Sequence, residues 1–272
     1  MLLLRRITIT TLILLFVIYG GICGYIYFFQ VNLLFHPDKL KESTKVDYGL
    51  ISSELSIKVD EGVNLSGILS YPNAKESNKL VFFLHGNAGT IKGQEASAKF
   101  YTSQGFDFFS FDYRSFGKSD GTPSNEQQFF SDAKKVFKEV TSSYHPDSIV
   151  VVGYSLGTCT AAWLCSQEKV GKLILQAPYY SIIEAAQREY PYLPAKQLLK
   201  FPFETNNYLK KVKCPILLAH GDKDDVLPLE GSKRLAKLLN KRSVFMILKG
   251  QNHDDFEENN IYTDAVRRFI SN

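Results

Sequence analysis

Residues 148–160 read SIVVVGYSLGTCT, and this stretch decides the fold. The apolar, β-branched run Ile149–Val152 predicts a buried strand, and the small residues that follow Gly157 can begin a helix. Between strand and helix, Ser155 has a glycine two residues to either side. Glycine is needed at such positions when two backbones come too close for a side chain. The stretch therefore predicts a strand, a sharp turn that presents a serine hydroxyl, and a helix.

A strand, turn and helix with the pattern G-x-S-x-G is the setting of a nucleophilic serine. Gly153 and Gly157 would support the turn, and the helix N-terminus would offer unpaired N–H groups and a positive dipole end to a developing oxyanion. The pattern also arises by chance: with Gly and Ser each at ~7% of residues, about one chain in ten of this length contains it. The other parts of a hydrolytic site must therefore be found elsewhere in the chain.

Apolar runs and helical patterns alternate along most of the sequence. Strands are predicted at 54–59, 63–71, 79–84, 106–111, 149–152, 172–176, 215–219 and 244–248, and helices at 91–103, 124–143, 157–167, 230–239 and 262–270. The first two strands form a hairpin with a polar loop after it, at 73–78. This alternation is typical of an α/β fold with a mainly parallel sheet flanked by helices. Residues 178–212 interrupt it with prolines and aromatic residues, which predicts a small helical cap over the site.

In a parallel sheet, ligands bind at the carboxyl ends of the strands. Ser155 follows one predicted strand, and His253 follows the last one. A serine hydroxyl is a poor nucleophile unless a base touches it and a carboxylate holds that base. Of the five histidines, His253 is the one that comes directly after a strand near the end of the chain. We therefore interpret Ser155 as nucleophile and His253 as base.

Three aspartates after the strand at 215–219 are candidates for the carboxylate: Asp222, Asp224 and Asp225. Their place between Ser155 and His253 fits the chain order serine, acid, histidine. Asp224 is favoured because it lies one short turn past the strand, ahead of a Val-x-Pro that restarts the chain. Asp222 and Asp225 are then expected to be surface charges.

The glycine-rich loop at 85–89, HGNAG, follows another buried strand. Stabilising an oxyanion takes two backbone N–H groups aimed at one point. Leu156, directly after the serine, is expected to supply one, and Asn87 in this loop the other. His85 and Gly86 are expected to support the loop, where the absence of a side chain lets the backbone approach a substrate. The alternative is a simple surface turn.

Composition excludes several other classes of protein. The net charge of +4 comes without a block of basic residues or an interleaving of basic and aromatic residues, which argues against a nucleic-acid partner. The four cysteines, Cys23, Cys159, Cys165 and Cys214, form neither a disulfide framework nor paired metal ligands. We expect free thiols and no metal.

Residues 7–29 contain no charged side chain. At ~1.5 Å per residue they can span a hydrocarbon layer of ~30 Å, with aromatic residues gathered toward one end as at a membrane interface. We therefore predict a membrane anchor at 1–30, a connector at 31–48 and a catalytic domain at 49–272. A cleaved signal peptide and a buried core helix are the alternatives.

The orientation in the membrane follows from the basic residues beside the span. Arg5 and Arg6 precede it, whereas the first cation after it is Lys39. This bias favours a cytoplasmic N-terminus and a catalytic domain on the other side. Lys41 and Lys45 weaken the bias, so the side of the membrane stays open.

Taken together, the motifs resemble those of the membrane-anchored α/β-hydrolase-domain serine hydrolases. The segments that carry the resemblance are HGNAG at 85–89, DYRSFGKSDG at 112–121, GYSLG at 153–157, APYYSI at 177–182, HGDKDDVLP at 220–228 and NHDDF at 252–256. The resemblance implies the α/β-hydrolase fold, Ser155, Asp224 and His253 as catalytic triad, and Asn87 and Leu156 as oxyanion donors. It departs from the family at Ser115, where relatives usually carry glycine.

Members of this family act on esters, thioesters, lysophospholipids or acyl-protein thioesters. We therefore expect a membrane-anchored serine hydrolase without cofactor, acting on an amphiphilic or acyl substrate. A peptidase or a small-molecule esterase is the alternative within the enzyme class. A binding protein that uses the fold without catalysis is the alternative from another class.

Overall fold

The computed structural model describes residues 1–72 and 77–271. Within them the strands are β1 (His36–Pro37), β2 (Ile51–Asp60), β3 (Val63–Tyr71), β4 (Leu80–Leu84), β5 (Ala88–Gly89), β6 (Asp107–Phe111), β7 (Ile149–Tyr154), β8 (Lys172–Gln176), β9 (Ile216–Gly221) and β10 (Val244–Leu248). The α-helices are α1 (Leu2–Leu34), α2 (Glu95–Ser103), α3 (Glu126–Val140), α4 (Gly157–Gln167), α5 (Ile182–Glu189), α6 (Ala195–Leu198), α7 (Thr205–Leu209), α8 (Leu229–Ala236) and α9 (Asn260–Ser271).

Eight strands form one sheet in the order β10-β9-β8-β7-β4-β6-β3-β2. Every neighbouring pair from β10 to β6 is parallel, whereas β3 is antiparallel to both β6 and β2. All eight predicted strands are therefore present, as is the hairpin of β2 and β3. The polar loop predicted after that hairpin lies largely outside the described residues. This is the α/β-hydrolase fold that the sequence predicted.

The central strands are apolar on both faces because helices cover both faces of the sheet. In β4, Phe82 packs with α3 and α4 in one core, and Phe83 packs with α2 and α9 in the other. Both rings are buried, and each contributes about 1.5–3 kcal/mol by its removal from water. Buried strands of this kind bring their carboxyl ends to one edge, where the loops that carry the candidate residues begin.

Helix α1 is the one helix of the described residues that is long and apolar enough to cross a bilayer. It continues to Leu34, past the predicted end of the anchor at residue 30. Its last turns are not free, because Gln30 is buried against the segment after α5. The amide of Gln30 donates to Leu198 O (3.2 Å) and accepts from Lys200 N (2.7 Å). The end of α1 is therefore docked on the α/β domain.

The connector after α1 is built into the domain. Phe35 is buried, with its ring 5.1 Å from that of Phe201 and 5.7 Å from that of Phe129. Strand β1 then pairs in parallel with β5 of the glycine-rich loop. The backbone of Lys39 forms an isolated β-bridge with Gly117, in the loop after β6. The connector thus runs between two loops at the carboxyl edge of the sheet.

Between β8 and β9 the chain forms three short helices, α5, α6 and α7, in the segment where a helical cap was predicted. Helix α5 begins at Ser181, whose hydroxyl accepts from Glu184 N (3.1 Å) and so caps the helix. Prolines keep the helices short because each interrupts the backbone hydrogen bonding. We call the segment from α5 to α7 the cap.

Candidate active site

The turn between β7 and α4 has the geometry that the opening motif predicted. Ser155 has φ of +49°, in the left-handed region, and its N–H donates to Gln176 O at the end of β8 (3.0 Å). A Cβ on Gly157 would lie 2.1 Å from Leu84 O, and one on Gly153 would lie 2.7 Å from the Cβ of Ala161. Both glycines are therefore required sterically, and the turn packs directly against the end of β4.

The hydroxyl of Ser155 meets His253, which comes from the loop after β10. The distance from Ser155 Oγ to His253 Nε2 is 3.0 Å. The other ring nitrogen of His253, Nδ1, lies 2.7 Å from Asp224 Oδ2. Because a carboxylate only accepts, Nδ1 donates to it, and this leaves Nε2 free to accept from the serine. The three side chains that the sequence singled out are thus brought into one hydrogen-bonded line.

Both carboxylate oxygens of Asp224 accept hydrogen bonds. Its Oδ1 accepts from the N–H groups of Val226 (2.9 Å) and Leu227 (2.7 Å). Burial by itself raises the pKa of Asp224, but hydrogen bonds from His220, His253 and Leu227 outweigh burial and hold that pKa well below its usual range. The carboxyl is therefore ionised at neutral pH. The neighbouring Asp222 and Asp225 are exposed, as expected, although Asp222 also accepts from Gly250 N (2.6 Å).

His220 is a part of the site that the sequence did not assign. Its Nε2 donates to Leu227 O (3.0 Å) and lies 3.2 Å from Asp224 Oδ2. Its Nδ1 lies 2.7 Å from the hydroxyl of Ser232, on α8. Asp224 is therefore held by two imidazoles. The position of His220 at the carboxyl end of β9 was the available signal.

The glycine-rich loop lies against the turn that carries Ser155. A Cβ on Gly86 would lie 3.6 Å from Ser155 Cβ. Within the described residues, no oxygen accepts from the backbone N–H of Asn87 or from that of Leu156. Two N–H groups without an internal partner are thus present on the two loops that flank the serine.

His85 anchors the base of this loop. It is fully buried, and its ring packs against that of Tyr113 at a tilt of 36°, with a centroid separation of 4.3 Å. Burial lowers the pKa of His85 to about 4, so the ring is neutral at pH 7. Its Nε2 lies 3.7 Å from Asp112 Oδ1, and burial raises the pKa of that carboxyl to about 7. His85 and Asp112 are therefore a buried pair that supports the loop from below.

The side chain of Asn87 makes a contact that the sequence did not predict. Its Nδ2 donates to Leu34 O at the end of α1 (3.1 Å), and the backbone carbonyl of Asn87 accepts from His36 N (2.8 Å). The end of the apolar helix and the connector therefore hold Asn87.

Two further observations concern the rim of the site. The hydroxyl of Tyr154 donates to the carboxylate of Asp254, which links β7 to the loop that carries His253. Ser115, where relatives usually carry glycine, has φ of +68°. This is the left-handed region that favours glycine, and it gives the physical reason for the usual residue there.

A family model described as the alpha/beta hydrolase fold matches residues 79–212. An uncharacterized protein from Mycobacterium tuberculosis is 27% identical over 256 residues, which cover 93% of this chain and 91% of that protein. A lysophosphatidylserine lipase from Danio rerio is 31% identical over 184 residues, which cover 60% of this chain and 48% of the lipase. This chain therefore matches only about half the length of that relative.

Among solved structures, an esterase from Pyrococcus furiosus superposes with a TM-score of 0.70 at 20% identity. The superposition covers 87% of this chain and 98% of the esterase. At this level of identity the likeness establishes the fold. The chain therefore has the α/β-hydrolase fold.

Proposed function

We propose that this chain is a membrane-anchored serine hydrolase that cleaves carboxylic esters or thioesters through an acyl-enzyme. The comparisons support a hydrolase of the esterase or lipase type. The single observation that carries the finer proposal is the hydrogen-bonded line from Ser155 through His253 to Asp224, with distances of 3.0 and 2.7 Å.

The first half of the reaction forms the acyl-enzyme. His253 Nε2 takes the proton of Ser155 as Oγ attacks the acyl carbonyl. Asp224, ionised and hydrogen-bonded to Nδ1, holds the ring in the tautomer that can accept this proton and stabilises the imidazolium. His253 then gives the proton to the leaving alcohol or thiol. In the second half His253 activates a water that clears the acyl group from Ser155.

The backbone N–H groups of Asn87 and Leu156 stabilise the tetrahedral oxyanion. Both have no acceptor within the described residues, and Leu156 directly precedes the first turn of α4, whose positive dipole end adds to the effect. Donors that are already in place need no reorganisation when the negative charge develops, and one such donor is worth about 10²–10³ in kcat. No cofactor takes part in this chemistry.

An amphiphilic acyl substrate is favoured because α1 would keep the site beside a bilayer. The Danio rerio relative is a lysophosphatidylserine lipase, which acts on a substrate of this class. The charge bias around α1 slightly favours a catalytic domain on the non-cytoplasmic side. A peptidase or an esterase of small soluble substrates remains the second candidate, which the same geometry of serine, histidine and aspartate would serve.

Labelling with a fluorophosphonate probe tests the proposal. The full-length protein in lipid nanodiscs should react at Ser155, and Ser155→Ala should not react although it folds. A folded wild-type protein that fails to label would favour a binding protein without catalysis. Hydrolysis rates on matched long-acyl esters, acetyl esters and peptides then separate the substrate classes, and a preference for acetyl groups or peptides would contradict the lipid assignment.

A further inference from the structure

An apolar cavity of about 550 Å³ lies between α1 and the cap. Its volume falls in the range of about 300–1,000 Å³ that is usual for small-molecule sites. One wall is formed by the last turns of α1, with Ile22, Ile26 and Leu33, and the opposite wall by α5, with Ala185 and Ala186. The cavity therefore has one wall in the helix that would cross the membrane and one in the cap.

The cap reaches α1 well before the apolar run ends. The hydroxyl of Tyr19 donates to Tyr192 O (2.8 Å), and Gln30 is bonded to the backbone around α6. Because the uncharged run extends to Phe29, Tyr19 lies about 15 Å inside it, at ~1.5 Å per residue. If α1 crosses a bilayer, the tip of the cap must lie in the membrane beside it.

The exposed residues at the tip of the cap fit this depth. Tyr192 is 88% exposed and Tyr190 is 57% exposed, although both are large rings. Exposed rings of this size present a large apolar surface, which hydrocarbon would cover if the tip of the cap lies in the membrane. The cavity between α1 and the cap thus faces hydrocarbon at one end.

The other end of the cavity approaches the candidate oxyanion donors. Leu34 lines the cavity, and its carbonyl accepts from the side chain of Asn87 (3.1 Å). Ile182, on the opposite wall, lies three residues after Tyr179, whose hydroxyl donates to Leu156 O (3.3 Å). Each wall is therefore linked to one of the loops that flank Ser155, the first through Leu34 and Asn87 and the second through Tyr179 and Leu156.

Three polar side chains line the cavity: Glu189 and Tyr190 are exposed to solvent, and the amide of Gln30 is already satisfied by the cap backbone. An occupant with polar groups along its length would lose their hydration without finding partners, whereas a hydrocarbon chain loses nothing. The apolar walls and the position beside α1 both fit the same kind of occupant.

We propose that this cavity binds one long acyl chain of a membrane lipid ester, which enters from the bilayer between α1 and the cap. The carbonyl of that ester then lies at Ser155. The proposal rests on the proposed function and names its substrate class more closely. Helix α1 is in this view one wall of the substrate site as well as an anchor.

Filling the cavity tests the proposal. Ala186→Trp places an indole between the two walls, and Gln197→Trp, on the exposed side of α6, adds the same bulk to the cap outside the cavity. Both full-length variants, in nanodiscs, are compared with wild type on p-nitrophenyl hexadecanoate and butanoate.

We expect Ala186→Trp to lower kcat/KM for the hexadecanoate about tenfold or more and to leave kcat/KM for the butanoate unchanged, because the lost contacts are those of the distal methylenes. Gln197→Trp should leave both rates unchanged. An unaltered ratio of the two rates in Ala186→Trp would overturn the proposal.

A second measurement does not depend on catalysis. Full-length Ser155→Ala is irradiated with a hexadecanoic acid that carries a terminal diazirine, and the labelled peptides are identified by mass spectrometry. The label should fall on the last turns of α1 and on α5, and Ala186→Trp should remove it. Label elsewhere, unaffected by Ala186→Trp, would overturn the cavity assignment. Specific label in the cavity of a protein whose wild type hydrolyses no ester would instead retain the cavity and refute the proposed function.

Discussion

The two sides of the candidate site are held in different ways. Ser155, Asp224 and His253 stand on loops after β7, β9 and β10 of one sheet, and their partners come from the same sheet domain. Asn87, on the opposite side, is held by Leu34 and His36, from α1 and the connector. The side with Ser155, His253 and Asp224, the proposed triad side, is thus independent of the N-terminal segment. The side with Asn87, the proposed oxyanion side, depends on it. A segment that resembles a simple anchor takes part in building the site.

The two sides also differ in their buried carboxyl groups. Hydrogen bonds hold the pKa of Asp224 well below its usual range in spite of burial, so this group is charged. Burial raises the pKa of Asp112 to about 7, against the hydrogen bond from Ile91 N and the positive charges of Lys39 and Lys118. One side of the site therefore carries a fixed negative charge, and the other a carboxyl that is largely protonated below neutral pH. Opposite responses to pH follow from this difference.

The largest effect is expected on the triad side from loss of the nucleophile. Ser155→Ala should lower kcat/KM by about 10⁴-fold or more, because the remaining groups can no longer form an acyl-enzyme. Its melting temperature should stay close to that of wild type. His253→Gln should be similarly inactive, and the double variant no worse than either, because the residues act as a unit. Ester hydrolysis and thermal melting measure this, and additive losses would contradict a shared mechanism.

Asp224→Asn tests whether the charge of the carboxylate matters apart from its shape. We expect kcat to fall by about 10³–10⁴, because the amide leaves His253 in the wrong tautomer to accept the serine proton. Asp225→Asn is the matched control, since Asp225 is exposed in the same loop, and it should retain full activity. Equal loss in the two variants would show that the loop, and not the carboxylate at His253, is responsible.

On the oxyanion side, Asp112→Asn should change how stability depends on pH. The pKa of this acid is higher in the folded state, so the folded chain holds more protons than the unfolded chain between about pH 4 and 7. Its contribution is thus present at low pH and is lost as pH rises, by up to about 1.4 kcal/mol per pH unit. Asn mimics the protonated acid, so the variant should show a flatter decline. Thermal melting from pH 4 to 8 measures this, and parallel curves for the two proteins would contradict it.

The smallest effect is expected where the oxyanion loop meets α1. Asn87→Ala removes the bond to Leu34 O but keeps the backbone N–H, so kcat should fall about tenfold with KM little changed. Tyr154→Phe, which removes a hydroxyl from the other side of the site, is the control and should cost less. Steady-state kinetics on a short ester separates kcat from KM. A change in KM alone would mean that Asn87 binds substrate and does not position a donor.

The triad side could be read from the sequence because each residue follows a local signal. Ser155 lies between an apolar strand and a helix of small residues, and His253 directly follows the last strand. The G-x-S-x-G pattern marked Gly157, and the structure supplies the steric reason, since a side chain there would meet the end of β4. Strands that are apolar on both faces fixed the parallel sheet, and a parallel sheet brings its loops to one edge.

The contacts that hold Asn87 on the oxyanion side could not be predicted from the sequence in this way. Asn87 bonds to a backbone carbonyl 53 residues earlier, and Gln30 to backbone groups about 170 residues later. Every residue has a backbone carbonyl, so such a partner leaves no mark in the sequence. His220 had a visible position after β9, but its contact with Asp224 depends on how the loop turns back.

The sequence by itself determined the fold, the three residues that the structure joins by hydrogen bonds, and an apolar helix long enough to cross a membrane. These depend on hydrophobic periodicity and on turn motifs, which are patterns among residues close in the chain. Only the tertiary structure decided that this helix docks on the cap, holds Asn87 and closes one wall of an apolar cavity. Those features depend on where two distant surfaces meet, and that is fixed by the packing of the whole chain.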